Sequence, residues 1–121
     1  MRKSLLNDMI FYENKPPREF KVGVDNQITI KDCGNITLDA DEQVTLVTND
    51  GKEYDVARKN WGYYATPSVN GRLKDQGFKT ALVKNSYGKY YVMIVDKERL
   101  KDFKGYLKQE SNYLEQWLDE L

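Results

Sequence analysis

Apolar and polar residues alternate in short runs along most of this chain, and the period of the alternation changes twice. Leu5, Leu6, Met9 and Ile10 fall at helical spacing, which predicts a short helical stretch within a lead-in over residues 1–19. Pro16-Pro17 ends it and forces an extended backbone. From Phe20 the period is two. Phe20, Val22 and Val24 alternate with polar or small residues, and Asp25-Asn26 turns the chain. Ile28 and Ile30 form the next run, Asp32-Cys33-Gly34 reads as a turn, and Ile36 and Leu38 resume the alternation. Val44 and Leu46 mark a strand over residues 42–48. Asn49-Asp50-Gly51-Lys52 predicts a tight type I′ hairpin turn into a return strand over residues 53–57. Residues 61–65 read as a strand ended by Thr66-Pro67, after which Ser68 caps a short helical turn reaching Leu73. Two strands follow, over residues 78–84 and 89–95, joined by Asn85-Ser86-Tyr87-Gly88. The run from Tyr90 to Val95 is apolar or aromatic throughout. That predicts a central strand covered on both faces.

The second change comes at Lys97. Leu100, Phe103, Leu107, Leu114, Trp117 and Leu121 follow the alternating steps of a heptad seam, interrupted at Glu110. Ser111-Asn112 divides the seam into a helix pair, with Asn112 and Glu115 placed as a capping pair. About seven strands followed by a helix predict an α+β domain, a small mostly antiparallel β-barrel or sandwich. The expected organisation is a single domain, residues 1–121, with a β region over 20–95 and a C-terminal helical region over 97–121.

Composition narrows the chemistry more than the fold. The 121 residues include no histidine and one cysteine, Cys33. A Ser-His-Asp triad, a Cys-His pair, a histidine-ligated metal and a cysteine zinc site are all excluded. No Walker loop or dinucleotide fingerprint is present, so no cofactor is expected. The lone cysteine favours a reducing compartment, Asn7 and Asp8 break the only run resembling a signal peptide, and no stretch approaches membrane-spanning length. The expected location is the cytoplasm, with no membrane partner. Nineteen basic and nineteen acidic side chains cancel, but unevenly. Residues 1–57 hold seven basic and eleven acidic side chains. Residues 58–108 hold twelve and four, and residues 109–121 hold four acids and no base. This asymmetry marks either an anion-binding face or segments that pair within the fold.

The segment from Arg58 to Lys89 is the most unusual. It mixes Trp61, Tyr63, Tyr64, Phe78 and Tyr87 with seven basic residues and one acid. Trp61, Tyr63 and Tyr64 are expected to stack on a ring, Arg58 and Arg72 to hold an anion, and Ser68 and Asn70 to orient it by hydrogen bonds. Gly71 would let a backbone amide approach closely. The plainer reading is a long connection pinned by buried aromatics. The expected function is a non-catalytic binding or accessory module for an anionic small ligand, such as a nucleotide or phosphorylated sugar, or for a partner protein. A single-strand nucleic-acid binder is the alternative, disfavoured by zero net charge. A small metal-independent enzyme acting on a sugar or nucleotide sugar is a further one.

Asp39 with Asp41, and Glu53 with Asp55, are candidate acid–base pairs. They read more simply as a polar turn and as the solvated face of a strand opposite Tyr54 and Val56. Cys33 lacks a base to activate it and reads as a small buried side chain. The C-terminal seam packs on its own sheet, meets a partner protein, or forms a homodimer through Leu114, Trp117, Leu118 and Leu121.

Overall fold

The computed structural model of the chain describes residues 2–6 and 9–121, with side chains from Met9 onward. Asn7 and Asp8, read above as breaking an apolar run, lie outside the described residues. Nine strands are described: β1 (Arg2–Leu6), β2 (Met9–Val22), β3 (Ile28–Thr37), β4 (Gln43–Val47), β5 (Glu53–Lys59), β6 (Gly62–Ala65), β7 (Phe78–Lys84), β8 (Tyr90–Asp96) and β9 (Tyr113–Trp117). Two α-helices accompany them, α1 (Arg72–Asp75) and α2 (Leu100–Gln109). The strands form three sheets, in the orders β1-β2-β3, β4-β5-β6 and β8-β7-β9. The class is α+β and mostly antiparallel, with a helix toward the C-terminus, and none of the described sheets closes into a barrel. No described helix is long and apolar enough to cross a membrane. The chain divides into two compact units: Met1–Leu46 with Asp55–Thr66, and Val47–Tyr54 with Pro67–Leu121.

In the first unit, β1, β2 and β3 form an antiparallel meander. Leu6 pairs with Met9 and Arg2 with Glu13, so the helical lead-in expected from Leu5, Leu6, Met9 and Ile10 is instead a hairpin. Four residues are too short a run to separate the two periods. β3 runs unbroken through Asp32-Cys33-Gly34, where a turn was expected. The irregularity is absorbed as a bulge, in which Asn14 to Pro17 face Cys33 between the Glu13–Gly34 and Arg18–Asp32 pairs. Gly34 sits at φ 152°, and a Cβ there would lie 2.1 Å from the Tyr12 carbonyl oxygen. Only glycine fits the position. Cys33 is exposed beside this bulge rather than buried. Asp55 corrects another expectation. It is buried on β5 and accepts a hydrogen bond from the Thr45 hydroxyl, while Glu53 is exposed. Ala57 is the one buried apolar side chain of this unit among the described residues.

The second unit holds the hydrophobic core. β7 is the central strand, paired with β8 on one side and β9 on the other. The apolar run Tyr90–Val95 is therefore an edge strand, not a central one, and Tyr90, Tyr91 and Val92 are exposed. Ala81 and Val83 point to the face covered by α2, whose Leu100, Phe103 and Leu107 pack there with Met93, Val95 and Trp117. The Phe103 and Trp117 rings lie 5.9 Å apart. Asp96 accepts a hydrogen bond from the Glu98 amide at 3.0 Å, which caps the 3-10 turn leading into α2. The helix stops at Gln109. Asn112 N–H donates to the Leu107 carbonyl at 2.8 Å and Ser111 N–H to the Lys108 carbonyl at 3.3 Å, with Ser111 left-handed at φ 55°. This pattern is a Schellman cap.

The expected second helix, and with it the continuous dimer seam, does not form. Residues 113–117 are β9 instead. Leu114 and Trp117 pair with Val83 and Ala81 across a register shift at Glu115; Trp117 packs with α2 against the core, while Leu114 is exposed. Leu118 is half-buried in a following 3-10 turn (Leu118–Glu120), and Leu121 is exposed. Asp119 in that turn is buried. Its carboxylate accepts hydrogen bonds from Lys79 Nζ and from the Thr80 amide, both at 2.9 Å, and Glu120 pairs with Lys79 at 2.7 Å. Here the basic middle segment and the acidic C-terminal segment neutralise each other. The hairpin turn after β4 also differs from the expected type I′. Thr48 carbonyl accepts from Gly51 N–H at 2.9 Å, and of the turn residues Gly51 carries the positive φ, 90°. This gives a three-residue hairpin with a glycine bulge.

Candidate functional site

The seven residues expected to form a site divide between the two units. Arg58, Trp61, Tyr63 and Tyr64 belong to the first, and Ser68, Asn70 and Arg72 to the second. Each group has its own local logic.

The first group is built on the β5–β6 hairpin. Lys59 pairs with Gly62, Arg58 with Tyr63 and Ala57 with Tyr64, leaving Asn60 and Trp61 as the turn. Gly62, at φ 147°, lets the chain turn this tightly. Directly opposed residues share a face of a sheet. Arg58 and Tyr63 therefore project to one side of the hairpin, and Ala57 and Tyr64 to the other. On the first side the Arg58 guanidinium lies 5.4 Å from the Tyr63 ring centroid. Its one side-chain hydrogen bond among the described residues goes to the Gly62 carbonyl, at 3.4 Å. The rest of its fork is available to an anion. On the second side Tyr64 stacks with Trp61, with centroids 6.0 Å apart and planes inclined by 22°. Trp61 is 67% exposed and Tyr63 63%. These rings do not pin a connection. They stand in solvent at a hairpin tip.

Lys59 lies at the base of the turn and pairs with Asp41. The hydrogen bond with Asp41, and then its charge, hold the Lys59 ammonium above the ordinary lysine value. Sequence reasoning left this pair out because its members are separated by eighteen positions and no local pattern joins them. The pairing neutralises Lys59, so Arg58 is the cation that the hairpin offers.

The second group occupies the turn before α1. Pro67 and Leu73 are buried and anchor it, while Ser68, Asn70 and Arg72 are exposed. The Ser68 carbonyl, not its hydroxyl, accepts the Gly71 and Leu73 amides, at 3.3 and 3.2 Å. A Cβ on Gly71 would lie 2.2 Å from Ser68 Oγ. The glycine thus lets the turn close on itself, and its amide is already used there. Of the two carboxylate pairs, Asp41 is taken by Lys59 and Asp55 by Thr45.

Comparison with protein-family models, with curated proteins and with solved structures found no match.

Proposed function

We propose that this protein is a non-catalytic binding module for a ligand that joins a flat ring to an anionic group, of which a nucleotide is the simplest example. The observation that carries this reading is the exposed, stacked Trp61–Tyr64 pair on the same hairpin as Arg58, whose guanidinium is held over Tyr63 with donors to spare. A ring stacks on Trp61, and the phosphate passes over the tip to Arg58. Stacking contributes about 1–3 kcal/mol per base, and a charge-assisted hydrogen bond about 1.5–3 kcal/mol. Together these support dissociation constants of roughly 40 µM to 15 mM. The cytoplasm is the compartment we propose for it, a reading that the exposed free thiol at Cys33 supports.

The test is titration of tryptophan fluorescence at low salt with ATP, UDP-glucose, glucose 6-phosphate and a short oligothymidylate. A saturable change with the nucleotides is expected, absent in Trp61→Leu and about tenfold weaker in Arg58→Gln. Because Arg58 is held by one long hydrogen bond and one ring, its variant should melt within about 2 °C of the parent. No response up to about 30 mM ligand, twice the weakest dissociation constant just given, excludes the reading. A response confined to the oligonucleotide, falling steeply with salt, turns it to single-stranded nucleic acid.

A further inference from the structure

The sheet of the second unit has two unlike edges. β9 is short, carries Glu115 and Gln116, and is bulged at Glu115. These are the devices by which natural sheets discourage further pairing. β8 has none of them. It is seven residues long, pairs with β7 without a register shift, and is uncharged from Tyr90 to Val95. Tyr90 is 56% exposed, Tyr91 47% and Val92 61%. A regular, uncharged edge presents a row of unpaired amides and carbonyls, and another strand is what satisfies them.

We infer that this edge pairs with β8 of a second copy of the chain, antiparallel about a two-fold axis through Val92, so that two three-stranded sheets become one of six. The sequence of β8 selects this partner and this register. A two-fold axis perpendicular to a sheet keeps each residue on its own face, so residues of the same parity must be opposed. Centring on Val92 opposes Tyr90 to Ile94 and Tyr91 to Met93, pairs of an aromatic with an aliphatic side chain. Centring on Met93 would oppose Lys89 to Lys97 and Tyr90 to Asp96. Lys84 leans from β7 over the Tyr90 ring, 5.6 Å away, and Asp96 at the far end of β8 is already paired with Lys52 at 2.7 Å, so the antiparallel sense rests on the opposed side chains and not on charge. This interface replaces the helical seam expected from Leu114, Trp117, Leu118 and Leu121, of which Trp117 packs with α2 against the core.

A single ladder with three exposed side chains per copy is smaller than a standard interface of about 800 Å² per partner. The dimer is therefore expected to be concentration-dependent, half-formed at about 10–100 µM. Light scattering coupled to gel filtration reads this directly. Val92→Lys should be monomeric throughout, with the parent's circular dichroism and melting temperature. In a Cys33→Ser background, Val92→Cys places a thiol on the axis, where opposed Cα atoms of an antiparallel pair lie about 4.5–5.5 Å apart, within disulfide range. It should crosslink on mild oxidation, whereas Tyr90→Cys, about 13 Å from its own copy at four strand residues' separation, should not. A chain monomeric at about 1 mM, well above the expected midpoint, overturns the inference. So do a dimer that survives Val92→Lys and equal crosslinking of both cysteine variants.

Discussion

Ser111 holds a left-handed conformation that costs an L-residue roughly 1 kcal/mol and costs glycine little. Its position is the one glycine occupies in most Schellman caps. Ser111→Gly should accordingly stabilise the second unit by about 0.5–1 kcal/mol, read as a rise of roughly 2–4 °C in melting temperature. An unchanged or lower value would mean that the serine side chain contributes more than the backbone strain removes. Asp119 is the opposite case, a residue whose charge the fold uses. Burial by itself pushes its carboxyl up, but the hydrogen bonds from Lys79 and the Thr80 amide, with the Lys79 charge, outweigh burial and hold it below the usual range. A carboxyl lowered in the fold stabilises the protein above its unfolded value of about 4, and that contribution is lost as pH falls through the folded value. Lys79 is raised by its hydrogen bonds to Glu120 and Asp119. Its contribution is complete below about 10.4 and is lost as pH rises through its folded value. Asp119→Asn should cost about 1–3 kcal/mol at pH 7, and the gap to the parent should narrow as pH falls through the lowered value of the folded carboxyl, where the parent side chain becomes neutral too. A gap of constant size across that range would show that shape rather than charge is what the asparagine disturbs.

At the scale of elements, much of the chain from Gln43 to Gln109 was legible. Asn49 to Lys52 does turn, Phe78–Lys84 and Tyr90–Asp96 do pair through Asn85 to Gly88, and Leu100, Phe103 and Leu107 do form one buried stripe. Errors arose where two physical causes leave the same pattern. Leu114 and Trp117 are three apart, the step of a helix, but a strand with one bulged residue also puts positions three apart on one face. Only the left-handed Ser111 before them separates the two, and serine does not announce it. The apolar run of β8 has the composition of a covered strand, yet here it marks an edge, and sequence alone does not say what lies beside a strand. At the candidate site, the concentration of rings and cations after Arg58 was visible. Its division was not, because the chain passes from one unit to the other between Thr66 and Pro67, a step that composition does not register.

At the scale of the whole molecule, buried apolar side chains are unequally shared. Among the described residues, Leu73, Phe78, Ala81, Val83, Val95 and Leu107 are in the second unit, and Ala57 alone is in the first. Stability within a protein follows such burial, and local opening is easiest where it is least. Amides of β7 should therefore exchange with deuterium slowest, and those of β2 and β3 faster by about two orders of magnitude or more, each factor of ten being about 1.4 kcal/mol of local stability. Uniform protection across both units would show a single cooperative structure.

The chain also carries an optical probe in each unit. Trp61 stands in water on its hairpin, while Trp117 is half-buried against Phe103 with the Lys79 ammonium 4.6 Å from its ring. Their emission should differ in colour, red-shifted for the first and blue-shifted for the second. With Trp61 replaced by phenylalanine, denaturant would be reported by Trp117 alone. That signal should persist after far-ultraviolet dichroism, which samples all three sheets, has begun to fall. Such a molecule would have no single melting point but two, with a colour for each.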